Sequence, residues 1–443
     1  MDNQDDRRRP AGRAVPRGRL SRLGVFGRMA GGVAGGMMAE GARRLADGQR
    51  PNIREMLLTP ANVARVADQL SHLRGAAMKL GQMISMDAGD VLPPELTSIM
   101  ARLRSGAHHM PPAQLQAVLA SQWGSDWRRR FARFEATPVA AASIGQVHRA
   151  STHDGRMLAI KVQYPGVADS IDADVDNVAT LLRVSGLLPA GLDFAPLLAE
   201  AKAQLNEEAD YVREGAQLER FGGLLAGSAK FVVPGLDREF TTDRVLAMDF
   251  VDGVAIETLD GADQSVRDGV MASLIELVLR ELFDFDWMQT DPNFANYRYQ
   301  HDSGRIVLLD FGAARAVAPE TVAAYRNLLR AGLAGSRDAV REAAIAAGFV
   351  GTAAAARHGP LLDRMIDVIL GELGREGPFD FGDRAFVGVL REDAAVMIAD
   401  RATWHLPPAA MLFAQRKISG TALLAARLKA RVEVRAMAAQ WVA

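Results

Sequence analysis

The sequence predicts an α+β chain: a strand-rich segment set between a helical N-terminal part and a mostly helical C-terminal half. Three observations predict it. Val63, Val66, Leu70, Leu73, Ala77, Leu80 and Ile84 recur at alternating spacings of 3 and 4, the period of a long amphipathic helix. Between residues 126 and 255, the runs FARFEATPVA, MLAIKV, SAKFVVPGL and VLAMDFVDG read as short strands around one helix, about Ala195 to Glu214. From about residue 265 helical patterns dominate, except for RIVLLDFG (305–312), an apolar strand ending in an aspartate. The predicted organisation is a basic, largely disordered tail (1–50), a helical extension (51–125), a strand-rich lobe (126–255) and a mostly helical lobe (256–443).

Composition narrows the function classes. The chain has 443 residues, 49% hydrophobic and 24% charged, with a formal net charge of −1. That length allows about two to three domains, and the charge balance gives no reason to expect nucleic-acid binding. The absence of cysteine excludes disulfides, thiolate metal sites and a cysteine nucleophile, and suits a reducing, cytoplasmic setting. No run of about 18 apolar residues predicts a transmembrane helix, and the N-terminus does not read as a secretory signal. Residues 1–50 hold 11 arginines against 5 acids. Leu20, Leu23, Val25 and Phe26 lie among those arginines, so a peripheral contact with an anionic membrane surface or a partner is the alternative to a solvated arm.

The chemistry begins in VAAASIGQVH (139–148), which has the layout of a nucleotide-phosphate loop. Such loops are normally glycine-rich, whereas this one carries Ala140, Ala141, Ala142 and Ser143, with Gly145 alone retained. Downstream, Lys161 lies in the apolar run MLAIKV. A buried ammonium needs a counter-charge or a phosphate; an edge-strand lysine with its head in water is the simpler alternative. In the helix that follows, Ala201, Leu205, Glu208 and Val212 share one face, which places Glu208 on the apolar stripe and makes it the expected partner of Lys161. A rotated helix with Glu208 exposed is the competing picture.

TDPNFAN (290–296) puts Asp291 and Asn296 five residues apart on a loop after an apolar helix. An aspartate there orients or deprotonates an attacking group, and an asparagine oxygen five residues on binds magnesium; taken singly, the stretch could be an Asp-Pro turn. Asp310 opens Asp-Phe-Gly at the end of the strand IVLL, where a carboxylate can hold a metal. Asp380-Phe381-Gly382 repeats the triplet without the strand or the Asp/Asn loop, and reads as structural. The stretch 245–253 reads as a hinge whose Met248, Asp249 and Val251 would hold adenine. Taken in order, loop, Lys161, Glu208, Asp291, Asn296 and Asp310 describe a Mg²⁺-nucleotide cleft in a two-lobed protein-kinase-like fold. Elsewhere, His108-His109 has no second ligand pair and reads as no metal site, while Trp123 and Trp127 read as packing residues. A second face of the long N-terminal helix carries Gly75, Lys79, Gln82 and Met86; on pattern alone it is a solvated face.

These residues resemble the UbiB/ADCK family of atypical kinases. The likeness rests on KLGQ (79–82), AAASIGQVH (140–148), AIKVQYPGV (159–167), EADYVRE (208–214), MQTDPNFAN (288–296) and LLDFGAAR (308–315). RLGVFGRMAGGVAGGMMAE in the tail is similar to the extension of the mitochondrial-type members. The resemblance implies ATP or ADP with Mg²⁺ as cofactors, Lys161 and Glu208 as the strand-lysine pair, Asp291 as the catalytic aspartate, and Asn296 and Asp310 as metal ligands. It implies that Lys79 and Gln82 regulate access by packing over the cleft, and that the alanine loop shifts preference toward ADP. Ala318-Pro319-Glu320 follows Gly312 too closely to leave a peptide platform, so the expected acceptor is a small molecule, a lipid-like quinone precursor or water. The expected role is an atypical kinase or ATPase supporting isoprenoid-quinone (ubiquinone) biosynthesis. The alternative is a catalytically restricted nucleotide-binding regulatory module or chaperone for a quinone-biosynthesis complex. A small-molecule kinase of the aminoglycoside phosphotransferase type would have no reason to contain KLGQ.

Overall fold

The computed structural model describes residues 110–184, 195–403, 405 and 407–442. The predicted tail, the amphipathic helix with Gly75, Lys79 and Gln82, and the His108-His109 pair lie outside the described residues. The described residues divide into two units, those up to residue 216 with 235–250, and 217–234 with those from 251 on. One division falls between Phe250 and Val251, inside the stretch read as a hinge. Helices and strands are mixed, as the α+β prediction requires. No helix among the described residues is long and apolar enough to cross a membrane.

The first unit is built on an antiparallel sheet. Helix α1 (Pro112–Trp123) begins with proline in its first turn, where a missing N–H costs nothing, and stops at Gly124 with φ +89°. Strands β1 (Phe131–Phe134), β2 (Ala140–Ala141), β3 (Gly145–Thr152) and β4 (Met157–Gln163) follow. Then come α2 (Ile171–Val184), α3 (Ala195–Glu208) and α4 (Tyr211–Leu224), whose residues from Gln217 on count with the second unit. The chain leaves for β5 (Phe231–Val232) in the second unit and returns as β6 (Val245–Asp249). The sheet order is β1-β3-β4-β6, with β2 on β3. Leu158, Ile160 and Val162 of β4 bury against Leu115, Leu119, Trp123 and Trp127. Strand alternation therefore directs Lys161 to the opposite face. Trp123 and Trp127 pack in this core as expected, and Trp123 Nε1 donates to the Phe240 carbonyl at 3.1 Å.

The first unit departs from the sequence reading in two places, and in the second unit short strands at Trp287–Gln289, Tyr297–Tyr299, Ala314–Ala316, Phe379–Asp380 and Arg431–Val432 join the one expected over 305–312. Strand β3 was read as loop because its buried face is polar: Gln146, His148 and Thr152 alternate with more exposed positions. Those groups are paired. Gln146 Oε1 accepts from the Met110 amide at 2.8 Å, and Gln146 Nε2 meets His148 Nε2 at 2.8 Å. The other ring nitrogen, Nδ1, then donates to the Glu135 carbonyl at 2.8 Å, a neutral imidazole using both nitrogens. The second departure is the helix expected over 195–214, which is two helices, α3 and α4, preceded by an unanticipated α2.

The second unit contains β7 (Val254–Ala255), α5 (Gln264–Phe283), β8 (Trp287–Gln289), β9 (Tyr297–Tyr299), β10 (Ile306–Leu308) and β11 (Ala314–Ala316). Four helices and a short strand follow: α6 (Pro319–Leu333), α7 (Arg337–Ala346), α8 (Thr352–Leu373), β12 (Phe379–Asp380) and α9 (Ala385–Ala399). The chain closes with α10 (Ala409–Arg427), β13 (Arg431–Val432) and α11 (Val434–Ala439). Strands β5-β10-β9-β7 form one sheet and β8 pairs with β11. Val278, Leu282, Met288, Tyr325, Met411 and Ala414 knit α5, β8, α6 and α10 together. Ala318-Pro319-Glu320 proves to be the start of α6, so only Ala313, β11, Val317 and Ala318 separate it from Gly312.

Candidate active site

Lys161 sits in β4 and is 7% exposed. Its Nζ donates to both carboxylate oxygens of Glu214, at 2.7 and 2.9 Å, and Glu214 is 1% exposed. The ammonium also lies 5.2 Å from the centre of the Tyr211 ring. Two charge-assisted bonds in this setting fix the ammonium position far more tightly than a surface pair could. This corrects the expected pairing with Glu208. Helix α3 ends at Glu208, and Asp210 starts a new helix by accepting from the Arg213 amide at 2.9 Å, an N-cap bond. The break resets the helical register. Val212, expected on the buried stripe, is 58% exposed, and Glu214 reaches the lysine. Glu208 is itself buried and accepts from Ser143 Oγ at 3.1 Å, which ties the helix to the alanine loop.

That loop is a tight hairpin. Ala140 and Ala141 form β2, opposite Val147 and Gln146, and the Ala142 amide donates to the Gly145 carbonyl at 2.9 Å. Among the described residues, positions 140–145 carry no positive φ, so alanine fits without strain. Gly145 is retained for another reason. A Cβ there would lie 2.4 Å from the Val162 carbonyl oxygen and 3.0 Å from Tyr211 Oη. At the predicted hinge, Met248 is buried in β6. Asp249 Oδ2 accepts from the Gly235 amide at 3.0 Å, and the Phe250 amide donates to the Met157 carbonyl at 2.8 Å. Val251 opens the next segment of the second unit.

In the second unit, Asp291 and Asn296 lie between β8 and β9, and Asp310 follows β10. Asn293 caps the turn Phe294–Asn296 by accepting from the Ala295 amide at 3.2 Å. Asn296 Nδ2 donates to the Asp291 carbonyl at 3.4 Å, a bond that does not use its amide oxygen. The Leu309 amide donates to the Asn296 carbonyl at 3.0 Å, so Asp310 is held beside the loop by backbone. Asp310 Oδ1 accepts from the Gly312 amide at 3.0 Å, and Phe311 packs on Phe221 with ring centres 4.7 Å apart. An amide oxygen and a carboxylate are the hard donors magnesium takes, usually completed by water and phosphate oxygens. Asp380 makes the same local turn, accepting from the Gly382 amide at 2.8 Å, but its other oxygen holds Arg431 of β13 at 3.0 Å. Among the described residues there is no cluster of three His, Cys, Asp or Glu suited to a metal.

A charged cluster next to this loop was missed from the sequence. Lys417 of α10, 2% exposed, donates to Tyr297 Oη at 2.9 Å and to Gln289 Oε1 at 3.1 Å, with Glu281 Oε2 at 3.5 Å. Burial pushes the Glu281 carboxyl up to about 7, against the pull of the Lys417 charge. A signal existed: Ala414, Lys417, Thr421 and Leu424 recur at spacings of 3, 4 and 3, which places the lysine on the helix's apolar stripe.

Comparison with known proteins defines the class. Residues 102–344 match the ABC1 atypical kinase-like domain, and the chain belongs to that family of atypical kinases. It is 36% identical over 424 residues to the mitochondrial atypical kinase COQ8 of Saccharomyces cerevisiae, covering 95% of this chain and 84% of the relative. It is 38% identical over 435 residues to the mitochondrial atypical kinase COQ8B of Rattus norvegicus, covering 96% and 80%. Among solved structures it is similar to Rv3197 of Mycobacterium tuberculosis, solved as a complex with erythromycin, at 25% identity and a TM-score of 0.59, covering 86% and 96% of the two chains. The resemblance read from the motifs and the kinase-like fold both hold.

Proposed function

We propose that this chain binds ATP or ADP with Mg²⁺ and transfers or hydrolyses a phosphoryl group in support of ubiquinone biosynthesis. The buried Lys161–Glu214 pair is the observation that carries the reading, because it holds a fixed positive charge on the sheet face opposite the core. Lys161 would hold phosphate oxygens, with Glu214 keeping its ammonium in place. Asn296 and Asp310 would hold magnesium through oxygen, and the ion when bound supplies charge that offsets the phosphates. The Asp291 carboxylate would orient the acceptor hydroxyl and take its proton. The short connection from Gly312 to α6 supports a small-molecule or lipid-like acceptor over a peptide. Quinone-biosynthesis proteins are the expected partners. An arginine-rich tail, together with exposed Val389, Val396 and Ile398 on α9, supports peripheral membrane contact. Failure of the full chain to co-sediment with anionic liposomes at low salt would remove that part.

The direct test is ATP turnover with and without a lipid or a quinone-like phenol. Turnover that falls by about 10²-fold or more in Asp291→Asn supports the enzyme. Magnesium-dependent nucleotide binding without turnover under any of these conditions would favour the regulatory module instead.

A further inference from the structure

We infer that α10 is the positioning element of the catalytic loop and that Lys417 is its key residue. The inference rests on the reading of Asp291 and Asn296 given above. Gln289 ends β8, two residues before Asp291, and Tyr297 opens β9 immediately after Asn296. One ammonium therefore clamps both ends of the loop, at 3.1 and 2.9 Å. The Gln289 amide in turn donates to Glu281 Oε1 at 3.4 Å, so α5 closes the clamp from behind.

The same helix holds the middle of the loop. Gly420 lies one turn beyond Lys417, and a Cβ there would sit 2.1 Å from Cβ of Pro292 and 2.7 Å from its Cγ. Glycine is thus required for the loop to lie flat on the helix. One turn before Lys417, the Phe413 ring lies 3.8 Å under the guanidinium carbon of Arg315, on the strand that follows Asp310-Phe311-Gly312. Phe413, Lys417 and Gly420 are spaced by 4 and 3 and form one face of α10. That face meets the start, middle and end of the catalytic loop and the strand after the metal aspartate.

A buried lysine is costly unless its N–H groups are met, and here three oxygens of three different side chains surround the ammonium. An apolar residue would pack this position at lower desolvation cost. A buried charge whose acceptors flank a reactive loop is suited to fixing the loop's geometry, and catalytic geometry is sensitive to small displacements. None of the four side chains, Glu281, Gln289, Tyr297 or Lys417, is placed in contact with nucleotide by the proposal. Each acts through Asp291 and Asn296.

The test uses the full chain with Lys417→Met, which keeps length and removes the charge, and Tyr297→Phe, which removes only a hydroxyl and keeps the fold. Two readouts are taken: amide hydrogen exchange in peptides covering residues 287–299, and kcat and KM for ATP. Lys417→Met should speed exchange in those peptides about tenfold and lower kcat about tenfold, with KM for ATP within about twofold, as expected for one lost charged hydrogen-bond set. Tyr297→Phe should move both in the same direction and less. Unchanged loop exchange in both variants, or faster exchange spread equally over all peptides, would overturn the inference. If the wild type neither binds nor turns over nucleotide, the proposed function fails, while the exchange data still decide whether α10 positions the loop.

Discussion

A lysine buried in a sheet keeps its charge only if a carboxylate is held against it, and at Lys161 that carboxylate is Glu214. Breaking such a pair leaves an uncompensated charge, so Glu214→Ala should lose about 3–5 kcal/mol of stability, measured by urea unfolding. A loss under about 1 kcal/mol would mean that the pair is not maintained in solution. Lys161 on an apolar strand, Asp291 and Asn296 on a loop and Asp310 after a strand were legible in their places, because strand and loop patterns are local. Glu214 was not, because a helical register was carried across Asp210, and an N-cap resets register without changing composition. Glu281 gives a pH signature. Its carboxyl is raised from 4.5 to about 7 by burial, so its contribution to stability is fully present below about pH 4.5 and is lost as pH rises through about 7. The stability of wild type minus that of Glu281→Gln should fall across that window in melts at fixed ionic strength. A flat difference would mean that the carboxyl titrates as an ordinary one.

Among the elements, the β2–β3 hairpin shows how a tight turn can be built from alanine without positive φ. Its Ala142 amide is already given to the Gly145 carbonyl, and alanine lacks the freedom by which glycine backbone closes on phosphate oxygens in the proposed role. Ala141→Gly should therefore shift relative affinity toward ATP in competition binding; unchanged ATP and ADP affinities would end that explanation. Gly145→Ala should instead destabilise the sheet by about 1–3 kcal/mol through overpacking against the Val162 carbonyl, read as a lower urea midpoint. Strands such as β4 and β6 were visible from their apolar runs. Strand β3 was hidden because its inward face carries Gln146 and His148, whose cost is met by bonds that only the folded chain supplies. Helix α2 was overlooked, although its Ile171, Val175 and Val178 at spacings of 4 and 3 mark a buried stripe.

On the scale of the whole molecule, the candidate residues are divided between the two units. Lys161 and Glu214 belong to the first, and Asp291, Asn296 and Asp310 to the second. The two Asp-Phe-Gly triplets make the same turn, and only context separates them: one follows the Asp/Asn loop, and the other pairs β12 with β13. The order of motifs along the chain therefore carried more functional information than any motif alone. The most direct measurement is thermal melting of wild type and Asp310→Asn with ATP or ADP, each with and without magnesium. A ligand at about 100 times its dissociation constant stabilises by about 2.7 kcal/mol, enough to raise the midpoint of a chain this size by about a degree or more. A Mg²⁺-nucleotide site that includes Asp310 gives a magnesium-dependent rise in wild type that is lost in Asp310→Asn. No rise with either nucleotide, or an equal rise in both proteins, would contradict it.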